Sequence, residues 1–377
     1  MTYIKRVYEN LNKHIKAGKV IIIYGPRRVG KTTLVKRYFD GLHLNKRYVT
    51  GDDIIISNLL SSRNLQRISE FVENLDFLVI DEAQNIKDIG MALKLIVDNF
   101  PEKKIIATGS SSFDLIRQMG EPLTGRKRVL MLLPIWQGEL YKNVYNKYVL
   151  KERLEDFLIF GSYPEVLLAK SKKEKIEILR EIVGSYLLKD ILAFEKVRNS
   201  KKLFDLLRLL AFQVGSKVSK NELSNTLGID SKSVERYLDL LEKSFVIKRL
   251  EPFSTNRRKT ISKKGKYFFL DNGIRNAVIS NFNELENRDD TGALFENFVI
   301  MERIKKNIYS DFYGNIYFWR AYRGGEVDFV EEYDGKLYGY EVKFSSKKRV
   351  SSLKEWERIK NSSLKVISTK NYLDFVI

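Results

Sequence analysis

The sequence predicts an α/β protein in several pieces: a parallel-sheet core at the front, a helical middle and a second, smaller α/β domain at the end. Three observations predict it. The apolar run "VIIIY" at residues 20–24 passes through a glycine-rich loop straight into an amphipathic helix, the strand–loop–helix unit of parallel sheets. Residues 141–200 carry apolar side chains at spacings of three and four, the helical period. From residue 283 onward the order reads helix, strand, strand, strand, basic helical stretch, strand.

The 377 residues exceed one modest domain and divide into a core at 1–140, a helical section at 141–200, a helix-turn-helix with a basic wing at 201–282 and the final α/β domain at 283–377. A hydrophobic fraction of 44% and an aromatic fraction of 12% exclude a disordered chain. Cysteine is absent, which excludes disulfide frameworks, zinc ribbons and thiol nucleophiles and suits a reducing cytosol. The two histidines, His14 and His43, stand far from any acidic cluster, so histidine-ligated zinc and histidine-dependent triads are not expected. Chemistry falls to carboxylates, lysines, hydroxyls and bound metal.

The first residues, "MTYIKRVYENLNKHIKAGK", are charged throughout, and no apolar run approaches the ~20 residues of a spanning helix. The expectation is a soluble cytoplasmic protein without a membrane partner. Its formal charge of +19, from 67 Lys and Arg against 48 Asp and Glu, favours polyanions, nucleic acid first. A lysine-rich solvated surface would produce the same number.

The first strand opens into Gly25-x4-Gly30-Lys31-Thr32, the full phosphate-loop pattern between a strand and a helix. Its glycines let backbone N–H groups wrap phosphates, and the helix amino end adds its positive dipole. Lys31 reaches terminal phosphates and Thr32 can ligate Mg²⁺. Gly25, Pro26, Arg27, Arg28, Val29, Gly30, Lys31, Thr32 and Thr33 are therefore the candidates for holding ATP with Mg²⁺. A second apolar strand, "FLVI", ends in Asp81-Glu82, where Asp81 can hold Mg²⁺ and Glu82 can orient or activate the attacking water. The same pair could merely end a strand.

A third strand, "KKIIATGSS", puts Thr108, Ser110 and Ser111 at the carboxyl end, where ligands bind in open α/β sheets. Ser110 or Thr108 could sense the γ-phosphate, or the serines could cap the next helix. Arg126, before a further apolar strand, could stabilise transferred phosphoryl charge in its own or a neighbour's site, or be an ordinary basic loop residue.

"GPRRVGKTTL", "DEAQ", "TGSS" and "LTGR" together resemble the ATPase core of an archaeal and bacterial group of the AAA superfamily. The resemblance implies an ATP-binding core, a homo-oligomer and a restriction-endonuclease-like C-terminal region.

In the middle, "ERLEDFLIFGSYPEVLLAK" and the residues after it read as a helical lid subdomain. Next comes a helix, then Ser219-x-x-Glu222 as a capping box, a short helix, a turn at Gly228 and a longer helix from about Ser231. With the strand "FVIKRLEPF" and the basic segment after it, this is a winged-helix pattern. Lys232, Ser233 and Arg236 on its third helix and Arg257, Arg258, Lys259, Lys263 and Lys264 in its wing are candidate phosphate contacts. Glu235 and Asp239 oppose that reading, and such modules also serve as protein-packing units.

Near the end, "RGGEVDFVEEYDGKLYGYEVKF" reads as a hairpin about Asp334-Gly335. A two-residue turn there makes Tyr333 face Lys336, Asp328 face Glu341 and Glu326 face Lys343. Alternation then puts these last four on one face and Val327, Phe329, Tyr340, Val342 and Phe344 on the other. Opposed carboxylates need a cation. Mg²⁺ bridging Asp328 and Glu341 would supply it, with Lys343 positioning or deprotonating water or steadying the developing phosphate charge; Lys343 alone could also neutralise the pair.

The spacing Asp-x12-Glu-x-Lys after a helix bearing Glu296 is similar to the PD-(D/E)XK nuclease signature, with Val327 where the motif's name has proline. That resemblance implies Asp328 and Glu341 as metal ligands, Lys343 as catalytic and Glu296 as an auxiliary acid. The resulting expectation is an ATPase that controls DNA contact and a Mg²⁺-dependent phosphodiesterase domain. Its rival is a nucleotide-driven switch whose last domain recognises without cutting.

Overall fold

The computed structural model describes residues 3–110, 122–187, 199–254, 264–321, 325–345 and 353–377. The chain forms two compact units, residues 5–134 and residues 1–4 with 135–377.

The 5–134 unit is built on strands β1 (Val20–Tyr24), β2 (Lys46–Thr50), β3 (Phe77–Asp81), β4 (Lys104–Gly109) and β5 (Lys127–Met131). Their order is β2-β3-β4-β1-β5 and every pairing is parallel. Parallel neighbours cannot be joined by hairpins, so crossover helices are obligatory. Lys31–Asp40 links β1 to β2, Ile54–Ser61 and Leu65–Val72 link β2 to β3, and Ile89–Asn99 links β3 to β4. Asp53 caps its helix by accepting from Ile55 N at 2.8 Å, and Asn64 caps the next by accepting from Arg67 N at 3.1 Å.

All five side chains of β1 and of β3 are buried, as central strands covered on both faces require. Each fully buried aliphatic side chain contributes about 1.5–3 kcal/mol. The register aligns Tyr24 with Gly109 and Thr50 with Asp81, so the residues following β1, β3 and β4 emerge along one edge of the sheet.

In the second unit, helices Gln137–Asn143, Lys147–Glu152, Leu154–Phe160, Pro164–Leu168 and Lys172–Glu181 precede Ser200–Phe212, Lys220–Leu227 and Ser231–Lys243. An antiparallel pair, β6 (Ile247–Leu250) and β7 (Lys266–Phe269), follows the last of these. Ser219 accepts from Glu222 N at 3.5 Å, Gly228 ends its helix at φ 61°, and Asp230 caps the next by accepting from Ser233 N at 2.9 Å. The wing candidates Arg257, Arg258, Lys259 and Lys263 lie outside the described residues.

Helices Asn272–Val278 and Thr291–Tyr309 lead into β8 (Asn315–Arg320), β9 (Glu326–Tyr333), β10 (Lys336–Lys343) and β11 (Ser362–Ser368). This mixed sheet has the order β11-β10-β9-β8, with only the β10–β11 pairing parallel. The divisions expected near 200 and 282 fall inside this one compact unit.

Buried amides explain the continuity. Asn272 Nδ2 donates to Leu158 O at 3.2 Å and Leu294 O at 3.0 Å, and Asn276 Nδ2 donates to Ile159 O at 2.8 Å. These bonds join helices from both sides of the expected boundaries. The hairpin strand also continues into the last sheet: Phe253 N donates to Phe318 O at 2.6 Å and Phe318 N to Glu251 O at 2.9 Å.

The hairpin turn has Asp334 at φ 51° and Gly335 at φ 70°, the left-handed pair of a tight turn. Tyr333 faces Lys336, and the register runs on to Phe329 facing Tyr340. There the expected pairing stops. Val342 N donates to the Asp328 Oδ2 at 2.8 Å, so the carboxylate accepts the amide of the opposite strand.

On the other side of β9, Tyr317 faces Val330 and Trp319 faces Val327, so the single residue between Tyr317 and Trp319 lies opposite two on β9, a bulge at Asp328-Phe329. Strict alternation therefore fails. Val327 joins Val330, Leu337 and Trp356 in one apolar cluster, whereas the Phe329 ring packs tilted against Tyr340 and edge-on against Phe375.

Candidate functional site

The phosphate loop owes its shape to two glycines. Gly25 has φ 152°, and a Cβ there would lie 1.9 Å from Leu132 O, so nothing larger fits beside the end of β5. Gly30, at φ 90°, precedes the helix Lys31–Asp40 and offers no side-chain cap, which leaves the helix amino end open to a ligand. Arg28 is also left-handed, at φ 61°.

Pro26 and Val29 are buried, Arg27 and Arg28 are half-buried, and Thr33 is exposed on the first helical turn. Lys31 is buried, and its ammonium donates to Gly25 O at 2.9 Å and Pro26 O at 2.8 Å. A cation folded back over the loop in this way is placed to transfer those bonds to phosphate oxygens.

Thr32 Oγ1 donates to Asp81 Oδ2 at 2.9 Å, which brings the two expected Mg²⁺ ligands together. Tyr48 Oη donates to the same oxygen at 2.6 Å, and Thr108 Oγ1 donates to Asp81 Oδ1. Burial first, then the Asp81 carboxylate, pushes the Tyr48 phenol up, so it remains a donor. Glu82 leaves β3 at φ 48°, a left-handed backbone that turns its side chain off the strand. Its Oε2 accepts from Gln84 Nε2 at 2.5 Å, and that same amide donates to Ser110 Oγ at 3.2 Å.

Lys31, Thr32, Asp81, Glu82, Thr108 and Ser110 thus share one sheet edge. The hard oxygen donors of Thr32 and Asp81, beside a buried lysine and an uncapped helix, fit a Mg²⁺-nucleotide. Ser111 lies outside the described residues.

Arg126 lies elsewhere. Its carbonyl accepts from Val20 N at 2.8 Å, at the amino end of β1, and its guanidinium pairs with Asp98. Five residues of extended strand, roughly 16 Å, separate that end from the phosphate loop. No arginine side chain spans the gap, so the expectation of a role in its own chain's site is corrected.

Sequence reasoning missed Tyr48 and Arg6. Arg6 is 4% exposed, and its guanidinium donates to Val29 O in the loop and to Leu133 O at 2.6 Å. Nothing local in "TYIKRVY" marks that anchoring role.

In the second unit, Asp328, Glu341, Lys343 and Glu296 do converge. Lys343 Nζ is 3.0 Å from Glu341 Oε1 and 3.7 Å from Asp328 Oδ2. Burial opposes the charge on Lys343, but the two carboxylates outweigh it and push its pKa up.

Another cation, absent from the expectation, completes the cluster. Lys266, the first residue of β7, is 3% exposed, and its ammonium lies 3.2 Å from Glu296 Oε1, 3.8 Å from Asp328 Oδ1 and in contact with Glu326. Burial of Lys266 works against its charge, yet Glu296, Asp328 and Glu326 raise its pKa. Burial and the neighbouring Asp328 and Glu326 charges raise Glu296 to about 7 in spite of that ammonium.

No group of three His, Asp or Glu side chains among the described residues is disposed to hold a metal ion. The expectation of Mg²⁺ between Asp328 and Glu341 does not fit this arrangement, because lysine ammoniums fill the spaces between the carboxylates.

On the three-helix module, Lys232 and Arg236 are exposed and Ser233 is half-buried. Glu235 pairs with Lys220, and Asp239 pairs with Lys243 at 2.6 Å. A surface cleft of about 470 Å³ between the helices and the hairpin is lined by Lys220, Lys232, Arg236 and Arg249, alongside Glu235 and Glu242. No described helix is long and apolar enough to cross a membrane.

Residues 17–141 match the model of an AAA domain, residues 151–285 that of a domain of unknown function (DUF8612), and residues 291–374 that of another (DUF4143). An uncharacterized protein of Mycobacterium tuberculosis is 25% identical over 346 residues, covering 90% of this chain and 74% of its own. One of Methanocaldococcus jannaschii is 26% identical over 381 aligned positions, covering 93% and 82%.

Among solved structures, the Orc1 protein of Aeropyrum pernix in complex with DNA is 12% identical, with a TM-score of 0.34 over 70% of this chain and 86% of that one. Domain III of the replication initiation protein DnaA of Thermotoga maritima is 14% identical, with a TM-score of 0.25 over 44% and 85%. The five-stranded parallel sheet and its loop coincide with the residues that match the AAA-domain model, so the first unit is similar to a P-loop AAA domain.

Proposed function

We propose that this protein binds ATP with Mg²⁺, hydrolyses it, and uses nucleotide state to control contact with DNA. The observation that carries the reading is the meeting of Lys31, Thr32, Asp81 and Glu82 at one sheet edge, with Thr32 and Asp81 2.9 Å apart. Thr32 and Asp81 would hold Mg²⁺, which neutralises phosphate charge when bound. Lys31 and the loop amides would bind the β- and γ-phosphates, and Glu82 would orient or activate the attacking water. Ser110 or Thr108 would register the γ-phosphate. Arg126, on the far end of the sheet, would serve the site of a neighbouring subunit, which implies a homo-oligomer.

The DNA part rests on the charge of +19 and on the order of three helices followed by an antiparallel hairpin, which supports a winged helix. On its third helix, the acidic residues that would repel phosphates are paired within the module, as Lys220–Glu235 and Lys243–Asp239. The test is ATP hydrolysis by wild type, Lys31→Ala and Glu82→Gln. Loss of binding in the first variant and loss of turnover with binding retained in the second support the reading; no ATP binding by wild type overturns it.

A second reading, cleavage of nucleic acid by a restriction-endonuclease-like last domain, rests on the convergence of Asp328, Glu341 and Lys343 and requires a metal ion to displace the lysine ammoniums from the carboxylates. Incubating wild type and Asp328→Ala with DNA and RNA, in Mg²⁺ or Mn²⁺ and with or without ATP, separates the readings. Cleavage lost in Asp328→Ala supports the nuclease; nucleotide-sensitive retention without cleavage supports the switch.

A further inference from the structure

The acidic cluster of the last domain already contains its cation. Lys266 is held by backbone on both sides: it pairs with Leu250 across the hairpin and bridges to Lys217 on its other edge. Its ammonium also lies 5.6 Å from the centre of the Phe318 ring, on β8. From that position it meets oxygens of Glu296, Glu326 and Asp328, which come from the helix Thr291–Tyr309 and from the bulged end of β9.

A divalent ion sharing these oxygens at about 2.1 Å would sit against the ammonium, and charge repulsion would expel one of the two. Lys266 is 3% exposed and its ammonium is enclosed by Glu296, Glu326 and the Phe318 ring, so the ammonium has no open solvent to swing into and stays. Lys343 fills the remaining space, between Asp328 and Glu341.

We propose that Lys266 is a built-in replacement for the metal ion: an internal ammonium that makes this cluster a metal-independent electrostatic joint between the β6–β7 hairpin and the last sheet. The joint fixes the hairpin strand to β8 and β9. Two consequences follow. The domain does not use divalent metal for cleavage, and removing the ammonium while keeping the carboxylates creates a cation site.

The test is Mn²⁺ binding by nucleotide-free full-length protein, followed by electron paramagnetic resonance, with folding checked by circular dichroism. Wild type should show no Mn²⁺ site that depends on Asp328. Lys266→Met should gain one site, lost again when Asp328→Asn is added, and Lys266→Arg should gain none.

A wild-type site abolished by Asp328→Asn overturns the proposal, as does a folded Lys266→Met that binds no Mn²⁺. If Lys266→Met does not fold, the wild-type and Lys266→Arg arms still decide, since Asp328-dependent Mn²⁺ binding by either contradicts it. The ATPase reading is untouched by any of these outcomes, because no nucleotide is present.

Discussion

Replacing Gly25 with alanine tests how tightly the phosphate loop is built. The added Cβ would lie 1.9 Å from Leu132 O and 2.9 Å from its carbonyl carbon, both backbone atoms of the chain leaving β5. Restoring ordinary contact requires the loop and that backbone to part by more than roughly 1 Å. The hydrogen bond from Leu132 N to Tyr24 O, 2.8 Å long, is the first to go, at about 1 kcal/mol.

Alanine in the positive-φ backbone of residue 25 adds about 1–3 kcal/mol, and the stiffer unfolded chain offsets about 0.4–1 kcal/mol. The net loss is about 1–4 kcal/mol. Displacing Gly25 and Pro26 also moves the acceptors that hold Lys31, so ATP affinity should fall roughly tenfold or more, tenfold corresponding to about 1.4 kcal/mol. Urea unfolding and titration with a fluorescent ATP analogue measure both effects. A Gly25→Ala protein with wild-type stability and wild-type affinity would refute this account of the loop.

Arg6→Ala strips a buried guanidinium from Val29 O and Leu133 O and should lower stability by about 2–4 kcal/mol, read by urea unfolding, because two buried charge-assisted hydrogen bonds and the packing of the side chain are lost. Mixing Arg126→Ala with Lys31→Ala should restore part of the hydrolysis that each lacks alone, since one supplies an intact nucleotide site and the other the arginine; no recovery would exclude a role across subunits. Asp290 gives a pH prediction. Burial works against its charge, but hydrogen bonds from Arg288 and Arg275 hold its carboxyl below the unfolded value of 3.8. Its contribution is therefore present above pH 3.8 and lost as pH falls through the lower folded value, so the stability gap between wild type and Asp290→Asn should be level at higher pH and close below it. A gap that stays constant into acid would contradict the assignment.

The phosphate loop and the Asp81-Glu82 strand end were legible because each is a local pattern whose chemistry lies within a few residues. The hairpin turn was legible for the same reason, since Asp-Gly selects a turn with two left-handed residues. What could not be read was whatever depends on distant chain. The bulge at Asp328-Phe329 arises from how β9 pairs with β8, and it breaks an alternation that the residue pattern alone implies.

Lys266 is not singled out by the residue pattern, because the carboxylates it meets, Glu296, Glu326 and Asp328, lie far along the chain. The signal available was its position at the head of the apolar strand "KYFF", all four residues of which are buried, where a lysine demands partners. Tyr48 carries no such signal. Its strand is half-exposed, and only the parallel register of β2 with β3 brings the phenol to Asp81.

The central claim is that nucleotide bound at Lys31 and Asp81 governs contact with DNA. Fluorescence anisotropy of a labelled duplex, titrated with wild type and Lys31→Ala in ADP and in a non-hydrolysable ATP analogue, tests it most directly. The account predicts that DNA affinity differs between the two nucleotides for wild type and not for Lys31→Ala. Wild type that binds no DNA, or binds it equally in both nucleotides, would contradict it.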